Sequence, residues 1–277
     1  MPRNAGENGR PQPPDITEGQ PPGPAPSRVR DALLGGRRNL QADRDLADLL
    51  EREFPGTARA AADARAFAAR AVTWCARQGI EQYIIPEPGL PLPGGAGEAA
   101  RAVIPGARVA YAAGDPSEAA YARAEAAGGD ATALVRRDIA GDPAGLLGDP
   151  GLRAVIDLGK PVAVVLALAA HFLPAEVAAA MITGFAMALA PGSAVVVSSW
   201  APRPGACADR FAAVYRPAGV LFPHAAADVE GWLRAPGLAL VRPPGVTDVR
   251  GWRAGMPAPR LRPRPVAAVT GAVARVA

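Results

Sequence analysis

The sequence predicts an α/β fold in which a mainly parallel sheet carries helices on both faces. From about residue 81 onward, short apolar runs alternate with helical stretches, a spacing typical of βαβ crossovers. The run Val162–Leu168 is apolar throughout, as expected of a strand that is buried on both faces. Ligands of such sheets bind at the carboxyl ends of the strands. Residues directly after each strand are therefore the first candidates for function.

The chain before the sheet divides into two parts. Residues 1–26 are dense in proline, glycine and polar residues, so they bury too little apolar surface to offset the entropy cost of ordering. Apolar residues then recur at helical spacing, and a long helix is predicted over Ala58–Arg77, ending near Gly79. We predict a disordered tail over 1–26, a helical cap over 27–80 and the α/β domain over 81–277.

The elements of the α/β domain follow from hydrophobic periodicity and from turn residues. A last strand, 266–273, is predicted to close an edge of the sheet. The other predicted strands cover 83–85, 108–112, 132–135, 162–168, 194–198 and 238–241, and the predicted helices cover 98–103, 116–126, 143–147, 174–189 and 228–234.

Composition argues against several classes of partner. The formal net charge is +4, but the arginines are scattered and aromatic residues make up only 5% of the chain. Domains that bind nucleic acid cluster basic residues among aromatic ones, so no nucleic acid partner is predicted. Cys75 and Cys207 are isolated and show no metal-site or disulfide spacing. The longest apolar run, Val162–Ala170, is far below the roughly 20 residues of a membrane span, so we predict a cytoplasmic protein without membrane association.

A block near the N-terminus resembles the signature of a known family. Arg30-Asp31-Ala32-Leu33-Leu34-Gly35-Gly36-Arg37-Arg38-Asn39-Leu40 is similar to the Tyr-Asp-Tyr-Leu-Leu-Gly-Gly-Lys-x-Asn-Phe pattern of the actinobacterial S-adenosyl methyltransferases. Arg30 and Ala32 stand where that family has its two tyrosines. Shorter blocks follow in the family's order, namely Ala42-Asp43-Arg44, Arg65-Ala66-Phe67, Gly89-Leu90-Pro91, Asp115-Pro116, Arg137-Asp138, His171-Phe172-Leu173-Pro174, Leu189-Ala190-Pro191-Gly192-Ser193 and Val214-Tyr215.

The resemblance implies a class I Rossmann-like methyltransferase with a mainly parallel seven-stranded sheet and an N-terminal helical cap. It also implies S-adenosylmethionine as the cofactor and a small-molecule or protein acceptor of unknown identity, with no metal. Four cap residues that match the family pattern are expected to face the pocket, or alternatively to tie the cap to the sheet. They are Arg28, Asp31, Asn39 and Arg65.

The loop after the first strand departs from the family pattern. Where the family has Asp-Ile-Gly-Ser-Gly, this chain has Ile85-Pro86-Glu87-Pro88-Gly89, so only Gly89 is retained and Ile85 stands at the acidic position. Glu87 occupies a glycine position, where its side chain is expected to fill the methionine end of the pocket. With a rebuilt loop, Glu87 could instead replace the missing acid.

The ends of the second and third strands supply two further cofactor candidates. The family's second strand ends in an acid that binds both ribose hydroxyls, but Ala113 stands there, a loss worth about 10- to 100-fold in affinity. Asp115 could reach the ribose, although a helix N-cap before Pro116 is the alternative. Asp138 matches the residue that contacts the adenine amino group, with an ordinary surface aspartate as the alternative.

One histidine is the candidate catalytic residue. His171 follows the fourth strand, where this fold places residues that face the transferred methyl group, and it could accept a proton from a nucleophile. A packing role is the alternative. His224 has no motif around it, so we predict a structural role.

Two functions remain open from the sequence. The first is an S-adenosylmethionine-dependent methyltransferase with an unconventional cofactor site, and the alternative is a catalytically degenerate homologue that binds or regulates a partner. The discriminating feature is whether space exists above Gly89. A phosphate-binding Rossmann domain is disfavoured, because prolines remove backbone N–H groups that would hold the phosphate. These are Pro86, Pro88, Pro91 and Pro93.

Overall fold

Eight strands form one sheet in the computed structural model, which describes residues 22–90, 92–116, 118–120, 123, 131–137, 142–202, 205–257 and 266–277. The strands are β1 (Gln82–Pro86), β2 (Arg108–Ala112), β3 (Thr132–Val135), β4 (Val162–Ala167), β5 (Ala194–Trp200), β6 (Leu238–Leu240), β7 (Thr247–Asp248) and β8 (Val269–Val276). Their order is β3-β2-β1-β4-β5-β8-β6, and β7 pairs with β8 outside this path. The predicted α/β fold is confirmed.

The sheet is mixed rather than wholly parallel. Strands β1 to β5 run parallel to one another, whereas β8 runs antiparallel to β5, β6 and β7. Eight strands are present instead of seven because the two-residue β7 also pairs. The prediction that the last strand closes an edge is wrong, because β8 lies between β5 and β6. Seven of its eight residues are buried, as an interior strand requires.

The described helices are α1 (Pro26–Leu33), α2 (Gln41–Glu53), α3 (Thr57–Arg77), α4 (Ala96–Val103), α5 (Pro143–Leu147), α6 (Pro150–Val155), α7 (Ala175–Ala188), α8 (Ala206–Tyr215) and α9 (Ala226–Trp232). Helices α6 and α8 were not predicted. Residues 1–21 of the predicted tail lie outside the described residues, and the predicted helix 116–126 is described only in part. The domain boundaries stay a prediction. No helix in the described ranges is both long and apolar enough to cross a membrane.

Each face of the sheet has its own apolar layer. On one face α3 places Phe67 edge-on against Trp252, with ring centroids 5.4 Å apart. A Cβ at Gly271 of β8 would lie 2.9 Å from the Phe67 ring, so glycine allows this close approach. On the other face Phe185 of α7 and Trp232 of α9 pack in a second cluster. Burial of each large apolar side chain stabilises the fold by about 1.5–3 kcal/mol.

Backbone strain is concentrated at the carboxyl ends of two neighbouring strands. Among the described residues, the non-glycine positions with positive φ are Glu87 (φ 48°) and Leu168 (φ 54°). Each follows the last residue of a strand, β1 and β4 respectively. Left-handed backbone at a residue with a side chain is costly and tends to mark functional sites. The fold therefore points to this edge of the sheet.

Candidate functional site

A cavity of about 300 Å³ lies at the carboxyl edge of the parallel strands. Its walls come from α1, from the loops after β1, β2 and β4, from the end of β5 and from α8. The polar and aromatic side chains in these walls are Ser27, Arg30, Glu87, Asp115, Glu118, His171, Phe172, Trp200 and Tyr215. This is the position in which doubly wound sheets bind ligands.

The loop after β1 turns Glu87 toward the end of β2. The Glu87 backbone N–H donates to the Ala112 carbonyl at 2.8 Å, and its Oε1 accepts from the Gly114 N–H at 3.4 Å. This carboxylate therefore lies one residue beyond Ala113, the position at which the sequence lacks the expected acid.

Arg30 of α1, and not Glu87, fills the space above Gly89. A Cβ added at Gly89 would collide with the Arg30 guanidinium, which donates to the carbonyl of Glu87 at 3.1 Å and approaches that of Ala167 at 3.5 Å. Arg30 also lines a second cavity of about 70 Å³ below the loop after β1. The guanidinium therefore separates two adjoining spaces.

Glu118 is a buried carboxyl in the cavity wall. It lies in the helical turn after β2, where its backbone N–H donates to Asp115 Oδ1 at 3.0 Å. Its side chain is 2% exposed and lies 3.4 Å from Arg30 Nη2. Burial raises the pKa of Glu118 to about 8 against the opposing charge of Arg30. The charges of Glu87 and Asp115 and a hydrogen bond with the Glu87 side chain add to the rise. The carboxyl is thus protonated over much of the neutral range.

His171 lies in the short helical turn after β4 and is 1% exposed. Its ring is 4.3 Å from that of Phe172 and 6.5 Å from that of Trp200, measured between centroids. Burial, followed by the charge of Arg30, lowers the pKa of His171 well below its usual range. The imidazole is therefore neutral at pH 7, and the same environment lowers its basicity.

His224 gives a contrast with His171. Its Nε2 pairs with the Leu173 carbonyl at 3.1 Å, and its ring lies edge-on to Trp232. These contacts agree with the predicted structural role of His224, which stays a prediction.

The four predicted cap residues are divided between two places. Asp31 and Arg65 line the smaller cavity, and Arg65 donates to the carbonyls of the loop at Leu92 and Pro93. Arg28 pairs with Asp43 at 2.9 Å, and Asn39 donates to Asp31 Oδ2 at 2.8 Å, so these two hold the cap together. A further predicted residue, Asp138, lies outside the described residues.

Three buried polar atoms at the larger cavity have no hydrogen-bond partner among the described residues. They are Ser27 Oγ, Glu118 Oε2 and His171 Nδ1. Buried polar atoms are nearly always paired, so a cluster of unpaired ones beside a cavity indicates a polar ligand. The unpaired groups around this cavity can bind a ligand that carries hydroxyl or amino groups.

Two site residues were missed from the sequence, Arg30 and Glu118. The signal for Arg30 was its replacement of a family tyrosine. Glu118 stands three residues after Asp115, a spacing that matches a helix capping box, so its local pattern has a sufficient structural explanation. Only the burial of its side chain identifies it.

The fold, with a cleft at the carboxyl edge of its parallel strands, is that of class I methyltransferases. The family model described as S-adenosyl methyltransferase matches residues 15–277, so the chain belongs to that family. None of the curated protein sequences matches the chain.

Two solved structures are similar over nearly the whole chain. One is a "putative methyltransferase" from Thermobifida fusca YX, with 31% identity, 92% of this chain and 95% of that chain covered, and a TM-score of 0.84. The other is a DUF574 family protein from Streptomyces avermitilis MA-4680, with 28% identity, coverage of 92% and 98%, and a TM-score of 0.82. The chain is an S-adenosylmethionine-dependent methyltransferase, and no comparison favours the catalytically degenerate alternative. The feature that was expected to discriminate the two functions does not itself favour the enzyme, because the Arg30 guanidinium lies in the space above Gly89.

Proposed function

We propose that this methyltransferase acts on a small-molecule acceptor in the larger cavity, with His171 as the group that accepts the acceptor's proton. The observation that carries the proposal is the buried, neutral imidazole of His171, whose Nδ1 has no partner among the described residues. A residue that only packs would be expected to have both ring nitrogens satisfied, as paired buried groups usually are.

The acceptor class follows from the cavity walls. Phe172, Trp200 and Tyr215 give the cavity an aromatic lining, and α1 covers it through Pro26 and Leu33. A planar, largely apolar molecule with an O–H or N–H nucleophile fits such a lining. This enclosure favours a small molecule over a protein or nucleic acid acceptor. The unpaired thiols of the chain support a cytoplasmic location.

The cofactor is proposed to lie across the ends of β1 and β2. S-adenosylmethionine supplies a methyl group that its sulfonium has already activated, so the protein mainly orients the two reactants and excludes water. Gly89, Glu87, Asp115 and Asp138 are the proposed cofactor-binding residues of the sheet. In the cap, Asp31 and Arg65 border the smaller cavity, while Arg28 and Asn39 act through the cap structure.

The first test is calorimetric titration of the whole chain with S-adenosylhomocysteine, followed by transfer assays with a panel of phenols and aromatic amines. His171→Gln should retain S-adenosylhomocysteine affinity within about 2-fold but lose about 10²- to 10⁴-fold in transfer rate, the usual contribution of a positioned base. His224→Gln, a second buried histidine that lies between α8 and α9, is the matched control, and it should affect stability more than the transfer rate. Absence of binding at millimolar ligand would refute the cofactor site, and undiminished transfer by His171→Gln would refute only the role of His171.

A further inference from the structure

We propose that Glu118 is a cofactor-binding residue, which together with Glu87 accepts hydrogen bonds from the vicinal ribose hydroxyls of the cofactor. This inference rests on the cofactor site proposed above and adds a residue that the sequence pattern did not indicate. Its starting point is the end of β2, where Ala113 offers no side-chain acceptor.

Glu87 brings one carboxylate to that position. The Gly114 N–H donates to Glu87 Oε1, and the left-handed backbone of Glu87 aims its side chain across from β1 to β2. The strained conformation is explained if the side chain has a function there. Glu87 thus substitutes in space for an acid that is absent from β2 in sequence.

Glu118 brings a second carboxyl to the same wall. Asp115 caps the turn by accepting the Glu118 N–H, and the side chain of Glu118 is buried instead of facing solvent. Arg30 Nη2 contacts both Glu118 Oε1 and the Glu87 carbonyl, which joins the two residues through one guanidinium. Glu118 Oε2 is left without a partner among the described residues, so it is available to a ligand hydroxyl.

The charges around Glu118 predict how binding depends on pH. Arg30 of α1, Glu87 of the loop after β1 and Asp115 of the same turn act on its carboxyl, and Tyr215 of α8 also senses its charge. Hydroxyl donors favour the ionised carboxylate, but the ligand-free group is protonated below about pH 8. Cofactor binding at pH 7 should therefore release a proton, and affinity should rise as the pH increases toward 8.

The test is calorimetric titration of the full chain with S-adenosylhomocysteine and its 2′,3′-dideoxy analogue, in buffers of different ionisation enthalpy. The wild type should release up to about one proton near pH 7 with S-adenosylhomocysteine and none with the analogue. Glu118→Gln should release none and should bind S-adenosylhomocysteine about 10- to 100-fold more weakly, while binding the analogue as the wild type does. Glu176→Gln, an exposed change on α7, is the control and should behave as the wild type.

The outcomes separate this inference from the proposed cofactor site. If the wild type binds S-adenosylhomocysteine, and Glu118→Gln matches it in affinity and proton release, Glu118 does not bind the ribose although the cofactor site stands. If the wild type does not bind, both proposals fail. If Glu118→Gln does not fold, the titrations of the wild type with the two ligands still test the inference. Equal proton release with both ligands would overturn it.

Discussion

Two buried carboxyls, Asp43 in the cap and Glu118 in the cavity wall, differ in how many hydrogen-bond partners their oxygens have. Asp43 is fully buried and accepts hydrogen bonds from Arg28 Nε at 2.9 Å, Leu40 N at 2.7 Å and Ala25 N at 3.0 Å. Glu118 has a 3.4 Å contact with Arg30, and its Oε2 has no partner in the described part of the chain. The satisfied oxygens of Asp43 stabilise the cap, whereas the unpaired oxygen of Glu118 is the one that we propose to bind the cofactor.

Both contacts are made by the same short helix. Arg28 and Arg30 both belong to α1, and they reach Asp43 in the cap and Glu118 in the cavity wall. Helix α1 therefore binds the cap through one arginine and lines the larger cavity with the other. Changes at these two pairs should consequently separate stability from binding.

The largest effect is expected from Asp43→Ala. This change removes one partner of a buried ion pair and leaves Arg28 and two backbone N–H groups without their acceptor, so unfolding should require about 3–5 kcal/mol less free energy. Urea unfolding measures the loss. Asp45→Ala, an exposed change on the same helix, should stay within about 0.5 kcal/mol. An equal loss of unfolding free energy in Asp43→Ala and Asp45→Ala would show that the buried hydrogen bonds of Asp43 do not stabilise the fold.

The second largest effect is expected in the pH dependence of stability, to which Glu118 contributes. The folded state holds its pKa at about 8, above the usual value of 4.5. The folded state therefore binds a proton that the unfolded chain loses, and the stability from this group is complete below about pH 4.5 and is lost as the pH rises through 8. Because Gln mimics the protonated acid and does not titrate, the stability of the wild type should fall relative to that of Glu118→Gln over that window, by up to a few kcal/mol. A constant difference in urea unfolding at pH 5, 6.5 and 8 would contradict the raised pKa.

Substitution of the two arginines of α1 should lower stability by smaller and unequal amounts. Arg28→Met removes a hydrogen bond to a buried charge, so it should lower the free energy of unfolding by about 1.5–3 kcal/mol. The guanidinium of Arg30 contacts a largely protonated carboxyl, so Arg30→Met should lower the free energy of unfolding by only about 1 kcal/mol. Thermal unfolding of both variants at pH 7 gives the comparison. Equal losses would indicate that Glu118 is ionised in the ligand-free protein.

The smallest effect is expected at an ion pair in which only the arginine is exposed. Arg59 and Asp63 stand one helical turn apart on α3 at 3.0 Å, and the Arg59 side chain is 78% exposed. Asp63→Ala should lower stability by about 0.3–0.5 kcal/mol, which corresponds to a midpoint shift of roughly 1–2 °C in thermal unfolding. The charge of Asp63 also acts on Arg70 and Arg250, so a loss above about 1 kcal/mol would show that these interactions outweigh the pair with Arg59.

Local sequence pattern was sufficient for most of the sheet. The bounds of β2 and β3 were predicted correctly, because each is a short apolar run between turn residues. Helix α6 escaped detection because it has only six residues, and α8 because charged Asp209 and Arg210 interrupt its apolar pattern. The interior position of β8 depends on pairing with two distant strands, which no local pattern encodes.

The candidate site was predictable only where the family motif aligned with it. Glu87, Asp115 and His171 were found because they follow strands at family positions, and all three line the larger cavity. Arg30 and Glu118 were not found, since their importance arises from contacts between α1, β1 and the turn after β2. Such contacts depend on how the elements pack and not on spacing along the chain.

The interior place of β8 also has a consequence for biosynthesis. Strand β5 contributes three consecutive valines, Val195–Val197, and its open edge is covered only by residues 269–276. About 70 residues separate the end of β5 from the start of β8, so a nascent chain exposes this edge for several seconds at ordinary translation rates. An uncovered apolar strand edge can pair with other chains. Expression yield should therefore depend on chaperones that shield the nascent chain until β8 has been made.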